Sequence, residues 1–362
     1  MLHRFLPYLF PHRNRVGYIG WTGHDNLGDE ALALAIEGLL PSLQLAELKL
    51  TDKVERYEAF LGGQGIFKGV MLGGGTLINA PATLETFTRG VRRYGNGVVF
   101  GSGVQDPAFW AGRPGWVDER DRWVELMQGL PLRAVRGPHS RALLIDAGLD
   151  DIEVVGDPAL ALADDEVTPK TGRRRIGLNV GTSVGAVWGS EDGIADWAVA
   201  FVDALVDRGW EVVLVPVWSR DVEWTRAVAA RASRPVPVFD RFLNVEATLA
   251  LLRTLDVFVG QKLHSVVFAH CVHTPAIALE YRPKCSDYMA SVGQEHRVFR
   301  TDRLDVEAVL AAVDEAVADT ETIQAELASE VSAARRRLEA FAARVSGQIE
   351  ANGYPRIAAS VG

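Results

Sequence analysis

The chain has 362 residues, of which 48% are hydrophobic and 23% charged, enough for two folded domains of ordinary size and too apolar for a disordered chain. A formal net charge of −9 at pH 7 argues against a nucleic-acid partner. Only two cysteines occur, Cys271 and Cys285, so a disulfide framework is not expected and a reducing cytoplasm is.

The opening fifteen residues mix aromatics with arginines. Pro7 and Pro11 break them into pieces too short to span a bilayer or serve as an export signal. They are compatible with contact at a membrane surface, although packing on the first domain is the plainer expectation. No run of about 18 apolar residues predicts a transmembrane helix.

Arg15 to Ile19 predicts a strand, and a helix follows from Glu30. The loop between them carries Gly20, Gly23 and Gly28, which let the backbone turn and approach a ligand closely. The spacing is not that of a dinucleotide fingerprint. Asp25, Asn26, Asp29 and Glu30 instead supply acceptors of the kind sugar hydroxyls need, and Asn26 or Asp29 also suits a helix cap. A strand over 69–72 runs into Gly73, Gly74 and Gly75, a second place for close backbone approach. Further strands are predicted over 98–100 and 134–136, the latter ending at Arg136, and over 152–155.

Residues 163–174 are polar, with a proline and a glycine, and read as a domain linker. After it the alternation resumes. Strands are predicted over 175–180, 211–217 and 236–239, with helices near 192–207, 222–232 and 244–254. The run Val257 to Gly260 has the shape of a buried parallel strand. Lys262, Leu263, His264 and Ser265 follow at once, where that strand hands over to a helix. Ligands bind at such strand ends in open α/β sheets, because the first helical amides favour an anion. A second strand from Ala276 delivers Glu280, Tyr281, Arg282 and Lys284 to the same edge. Lys262, His264, Arg282 and Lys284 thus suit a small, doubly charged anion beside an imidazole able to move a proton. The plainer alternatives are a helix-start histidine and solvated surface cations. His270 and His273 read as packed, hydrogen-bonded histidines. Helices are predicted over 304–318 and 321–348, with a solvated run at Arg335, Arg336 and Arg337. The βαβα order predicts two Rossmann-like α/β domains with parallel sheets. No zinc spacing occurs, and no metal site is expected.

Lys262-Leu263-His264, Pro275-Ala276-Ile277 and Tyr281-Arg282-Pro283-Lys284, with the loop from Gly23 through Asn26 and Gly28 to Glu30, resemble the polysaccharide pyruvyl transferase family. The triple glycine at 73–75 is similar too. Lys262 stands where the family usually has arginine; lysine keeps the charge but loses the planar two-bond fork.

The resemblance implies a glycosyltransferase-B-like architecture with the active site in the interdomain cleft. Residues 1–163 would form the acceptor side and 164–320 the phosphoenolpyruvate side, with the helix of 321–362 packing back on the first domain. It implies transfer of the pyruvyl group of phosphoenolpyruvate onto two hydroxyls of a sugar, forming a cyclic ketal. His264 would be the acid, Asp25 or Asp29 the base, and Arg136, Lys262 and Lys284 the anion contacts. Tyr281, Arg282, Ser265, Asn26, Gly28, Gly74 and Gly75 would complete the substrate contacts. No cofactor is expected beyond the donor. The acceptor would be a polymer or its lipid-linked precursor, handled in the cytoplasm or at the inner face of the membrane; homo-oligomers are left open. Two rival readings stay open: a glycosyltransferase with a nucleotide-sugar donor, and a non-catalytic sugar-binding relative.

Overall fold

The structure is a computed structural model that describes residues 14–79, 81–111, 115–184 and 186–357. The aromatic and arginine-rich opening, for which packing on the first domain is the plainer expectation and contact at a membrane surface the alternative, lies outside them up to residue 13. Among the described residues no helix is long and apolar enough to cross a membrane. The chain forms two compact units. Of the described residues, the first takes Leu32–Pro158 with 14–21 and 336–357; the second takes Ala159–Arg335 with Thr22–Ala31.

In the first unit seven strands form one parallel sheet. They are β1 (Arg15–Ile19), β2 (Gln44–Glu47), β3 (Gly69–Leu72), β4 (Gly75–Ile78), β5 (Gly97–Val104), β6 (Leu132–Val135) and β7 (Glu153–Val154). Their order is β2-β1-β3-β5-β6-β7, with β4 paired to the far part of β5. Parallel strands need crossovers, and helices supply them: α1 (Leu27–Leu39), α2 (Asp52–Phe60), α3 (Pro81–Tyr94), α4 (Trp116–Gln128) and α5 (Pro138–Asp146). A sheet covered on both faces favours continuous apolar strands, and all of β3 and β5 is buried. The register of β5 on β6 shifts between Phe100 and Ser102. Gly101 makes the shift at φ 69°, where a Cβ would also lie 2.6 Å from the Pro158 ring.

The second unit holds β8 (Arg175–Asn179), β9 (Glu211–Leu214), β10 (Val257–Gly260), β11 (Ala276–Glu280) and β12 (Val298–Arg300). All pair in parallel in the order β12-β11-β10-β8-β9, so β10 is central. Around it lie α6 (Glu191–Asp207), α7 (Asp221–Arg231), α8 (Val245–Arg253), α9 (Leu263–Cys271), α10 (Lys284–Ser291) and α11 (Val306–Ala318). The core on one face gathers Ile176, Leu178, Val257, Val259 and Ile277 against Trp197 and Phe201, whose rings stack at 4.7 Å. Asn244 caps α8 by accepting from the Ala247 amide at 2.8 Å. Cys271 and Cys285 are both buried thiols.

Three details depart from the sequence reading. The strand expected over 236–239 is reduced to one bridge, Val238 on Leu214. Pro235 and Pro237 carry no N–H to continue the ladder. β2, β4 and β12 are strands the hydrophobic pattern did not single out; each is short and at most partly apolar. Arg335 is not simply solvated: in the second unit it pairs with Asp165 at 2.6 Å and donates to the Ala163 carbonyl at 3.2 Å. It lies in α12 (Thr320–Ala351), whose later part belongs to the first unit, where Phe341 meets Phe100 edge-on at 5.1 Å.

Candidate active site

In the second unit the central strand β10 ends at Gly260, and α9 begins three residues later, at Leu263. A Cβ at Gly260 would lie 2.5 Å from Ser265 Oγ, so the turn closes only around glycine. Asn179, at the end of β8, ties it down. Its Oδ1 accepts from the Lys262 amide at 2.8 Å, and its Nδ2 donates to the Val215 carbonyl at 2.8 Å. Ser265 Oγ lies 2.6 Å from the Lys262 carbonyl and 3.1 Å from Asn179 Oδ1. The fully buried Gln261 accepts from the Gly181 amide at 2.8 Å and donates to Ser183 Oγ at 3.3 Å. Burial makes these polar groups costly to leave unpaired, so the network fixes where residue 262 points.

Lys262 reaches into a nest of aromatic and acidic groups. Its ammonium donates to the Thr182 carbonyl and lies 3.4 Å from Asp221 Oδ1. The rings of Trp218 and Tyr281 flank it at 5.3 and 5.5 Å. Asp221, the first residue of α7, is fully buried, and burial pushes its carboxyl up to about 6 against the opposing pull of Lys262 and the Thr182 amide. A Cβ on Gly181 would lie 2.2 Å from Asp221 Oδ1, so the missing side chain there makes room for the carboxylate.

Tyr281 collects two further cations, Arg282 and Lys284, each 5.1 Å from its ring centre. The tyrosine is itself buried, which raises its hydroxyl's pKa. Arg282 donates to the carbonyls of Ser183 at 2.6 Å and Ala186 at 2.8 Å. Its guanidinium therefore shapes the loop after β8. Lys284 opens α10.

The acidic loop after β1 docks on this same unit. Asn26 bridges Trp218 in antiparallel fashion, and the Leu27 amide donates to the Val217 carbonyl at 2.9 Å. Ser219 donates to the Asp25 carbonyl at 3.0 Å, and the Trp218 indole to the His24 carbonyl at 3.0 Å. Asn26 Oδ1 accepts from the Gly28 amide at 3.1 Å, which caps α1 as its sequence position predicts. Asp25 takes φ 53°, a left-handed conformation that aspartate tolerates better than most residues. Gly28 then sits directly against the half-buried His264. Asp25, Asn26, Gly28 and Asp29 thus belong to the same unit as Lys262, His264, Ser265, Tyr281, Arg282 and Lys284.

His270 and His273 are packed, as read from the sequence. His270 is buried with Nδ1 2.9 Å from the Tyr288 hydroxyl; burial, then Arg297 and His273, push its pKa down to about 3.

Arg136, Gly74 and Gly75 lie in the first unit. Arg136 follows β6 and is only 1% exposed. A Cβ on Gly103 would lie 2.6 Å from its Nη2 and 3.5 Å from the Gly75 carbonyl, so the Gly103 and Gly75 backbones and the guanidinium crowd together. Gly74 has a packing reason of its own, with Leu32 Cδ2 2.6 Å from where its Cβ would be.

Sequence reasoning passed over Asp221, Trp218, Asn179 and Gln261. The run Trp218-Ser219-Arg220-Asp221 read only as a loop. Its place after a parallel strand, where β8 and β10 also end, was the available signal.

A family model described as polysaccharide pyruvyl transferase matches residues 26–283. No curated protein matches the chain. Among solved structures, a protein described as a candidate UDP-N-acetylglucosamine 2-epimerase from Listeria monocytogenes superposes with a TM-score of 0.57 at 11% identity, covering 96% of this chain and 99% of that one. A glycosyltransferase from Rickettsia africae gives 0.53 at 11% identity, covering 94% and 97%. MurG from Acinetobacter baumannii gives 0.50 at 13% identity, covering 90% and 95%. At such identities the likeness establishes the fold, which is glycosyltransferase-B-like with two parallel-sheet α/β domains.

Proposed function

The chain belongs to the polysaccharide pyruvyl transferase family, and from that premise we propose that it transfers the pyruvyl group of phosphoenolpyruvate onto two hydroxyls of a saccharide as a cyclic ketal. The observation that carries this reading is the neighbourhood of Lys262 and His264. A cation and an imidazole stand two residues apart at the end of the central strand, and the acidic loop of Asp25 and Asp29 is docked on the same unit.

The chemistry asks for those groups. C3 of the donor takes a proton, which makes C2 an oxocarbenium-like electrophile. One sugar hydroxyl adds to C2. The second adds as the bond from C2 to the phosphate oxygen breaks. Of the two hydroxyl protons released, one balances the proton given to C3 and one leaves with phosphate. His264 is the proposed acid, since an imidazole exchanges protons near neutral pH. Lys262 and Lys284 would hold the donor's negative charge and stabilise the departing phosphate. Asp25 or Asp29 would take the hydroxyl proton and orient the acceptor, a polymer or its lipid-linked precursor. Ser265 and Arg282 act on this reading through the backbone they hold, because their polar atoms already meet carbonyls at 2.6 to 2.8 Å. For Arg136 the reading rests on the family resemblance alone.

A thermal-shift series tests it. Phosphoenolpyruvate should raise the melting temperature, and UDP, GDP and NAD should not. Stabilisation by a nucleotide without any by phosphoenolpyruvate would replace this reading with a nucleotide-sugar transferase.

A further inference from the structure

We propose that Asp221 is a positioning residue that governs Lys262: ionised and paired with the ammonium when the site is empty, and protonated when an anionic donor takes the ammonium over. The proposal rests on the donor reading above only for the identity of that anion.

The geometry carries it. Asp221 is fully buried, yet its carboxylate is 3.4 Å from the Lys262 ammonium. The sequence makes room for it, because a side chain on Gly181 would overlap Oδ1. Its loop is also the platform of the site. Val217, Trp218 and Ser219 hold the backbone of His24, Asp25 and Leu27, and the Trp218 ring lies over Lys262. Asp221 thus sits where the loop that seats His264 and the turn that aims Lys262 meet.

The charged and titratable groups facing it are few. Lys262 comes from the β10–α9 turn, and Glu191 from α6, where its carboxylate is held by Thr182 and Ser183. Tyr281 follows β11. Of these only Lys262 favours the carboxylate; burial and Glu191 oppose it, and burial is the largest influence. Besides the Thr182 amide, the charge is therefore held by a single cation, Lys262. An anion that draws on the same ammonium leaves a buried carboxylate with weakened compensation, and a proton is the group's way out. Donor binding should then carry a proton onto Asp221, with no covalent change.

The test compares Asp221→Asn with the parent, both in a His264→Gln background so that the imidazole adds no proton of its own. Calorimetric titration with phosphoenolpyruvate in two buffers of different ionisation enthalpy reads the proton uptake. The parent should take up more protons than Asp221→Asn between about pH 6 and 8. Affinity in Asp221→Asn should exceed the parent's by about tenfold near pH 8 and converge with it near pH 5. Equal proton uptake and equal affinity across that range would overturn the proposal. A second arm needs no donor. Acetic anhydride labelling of Lys262, read by peptide mass, should be several-fold faster in Asp221→Asn near neutral pH, with other lysines unchanged. Labelling that changes while phosphoenolpyruvate fails to bind sinks the donor reading and upholds the pairing. Unchanged labelling sinks the pairing, whatever binds. Asp221→Ser, which also fits beside Gly181, replaces Asp221→Asn if that variant does not fold.

Discussion

Gly28 lies against His264 so closely that a Cβ on it would fall 2.0 Å from the imidazole Nδ1 and 2.4 Å from Cγ. The acidic loop therefore seats the imidazole as well as carrying acceptors. Gly28→Ala must push the ring or lift the loop. Misplacing a catalytic group by about 1 Å can cost on the order of 100-fold in rate. Turnover should fall by about that much while phosphoenolpyruvate affinity changes little. Wild-type turnover in Gly28→Ala would show that the position of this ring does not matter to the chemistry.

His264→Gln separates binding from chemistry. The amide keeps a polar group at the start of α9, so donor affinity should survive. The rate should drop by roughly two to four powers of ten, the usual worth of a general acid. Activity in the wild type should decline at alkaline pH, and that limb should vanish in the variant. A variant that turns over normally with the same pH profile would move the proton donor elsewhere, with Asp25, Asp29 and Glu280 next to test.

Lys262 occupies a setting that would also suit a guanidinium, flanked by the Trp218 and Tyr281 rings and facing the Thr182 carbonyl. Lys262→Arg should retain activity. Lys262→Ala should lose about 1.5–3 kcal/mol of donor binding, roughly ten- to a hundredfold in affinity. An arginine variant as inactive as alanine would mean the site has been shaped around lysine, and a pyruvyl donor would lose support.

Much of this was legible in the sequence. The buried strand ending at Gly260 and the helix start at Lys262 and His264 stand where the apolar run and its glycine place them, because parallel strands buried on both faces leave so plain a signature. The cap at Asn26 was readable for a similar local reason. The docking of residues 22–31 on the second unit was not, since it depends on backbone pairing with Val217 and Trp218, far away in sequence; the Trp218 indole and the His24 carbonyl it binds are 194 residues apart. Asp221 was missed for the same reason. Its partner is a lysine on another strand end, and only the fold brings the two within 3.4 Å. β4 escaped because Gly75 read as the end of a glycine turn, whereas it begins a strand against β5.

A prediction about stability follows from His270. Its folded pKa is depressed to about 3, so the native state takes a proton less readily than the unfolded chain, whose histidines titrate near 6.5. Stability should therefore be full above about pH 6.5 and decline as pH falls toward 3, by up to about 1.4 kcal/mol per pH unit from this group. In His270→Gln, urea unfolding between about pH 4 and 7 should show a correspondingly shallower slope. An unchanged slope would mean that other groups set the acid sensitivity.

The most direct test of the pyruvyl-transfer account is a proton NMR measurement of turnover in heavy water, with phosphoenolpyruvate and a panel of polysaccharide-derived acceptors. The account predicts a saccharide-linked ketal methyl carrying one solvent deuteron, formed in step with phosphate release and lost in His264→Gln. Consumption of a nucleotide sugar by the same protein, with phosphoenolpyruvate untouched, would contradict it.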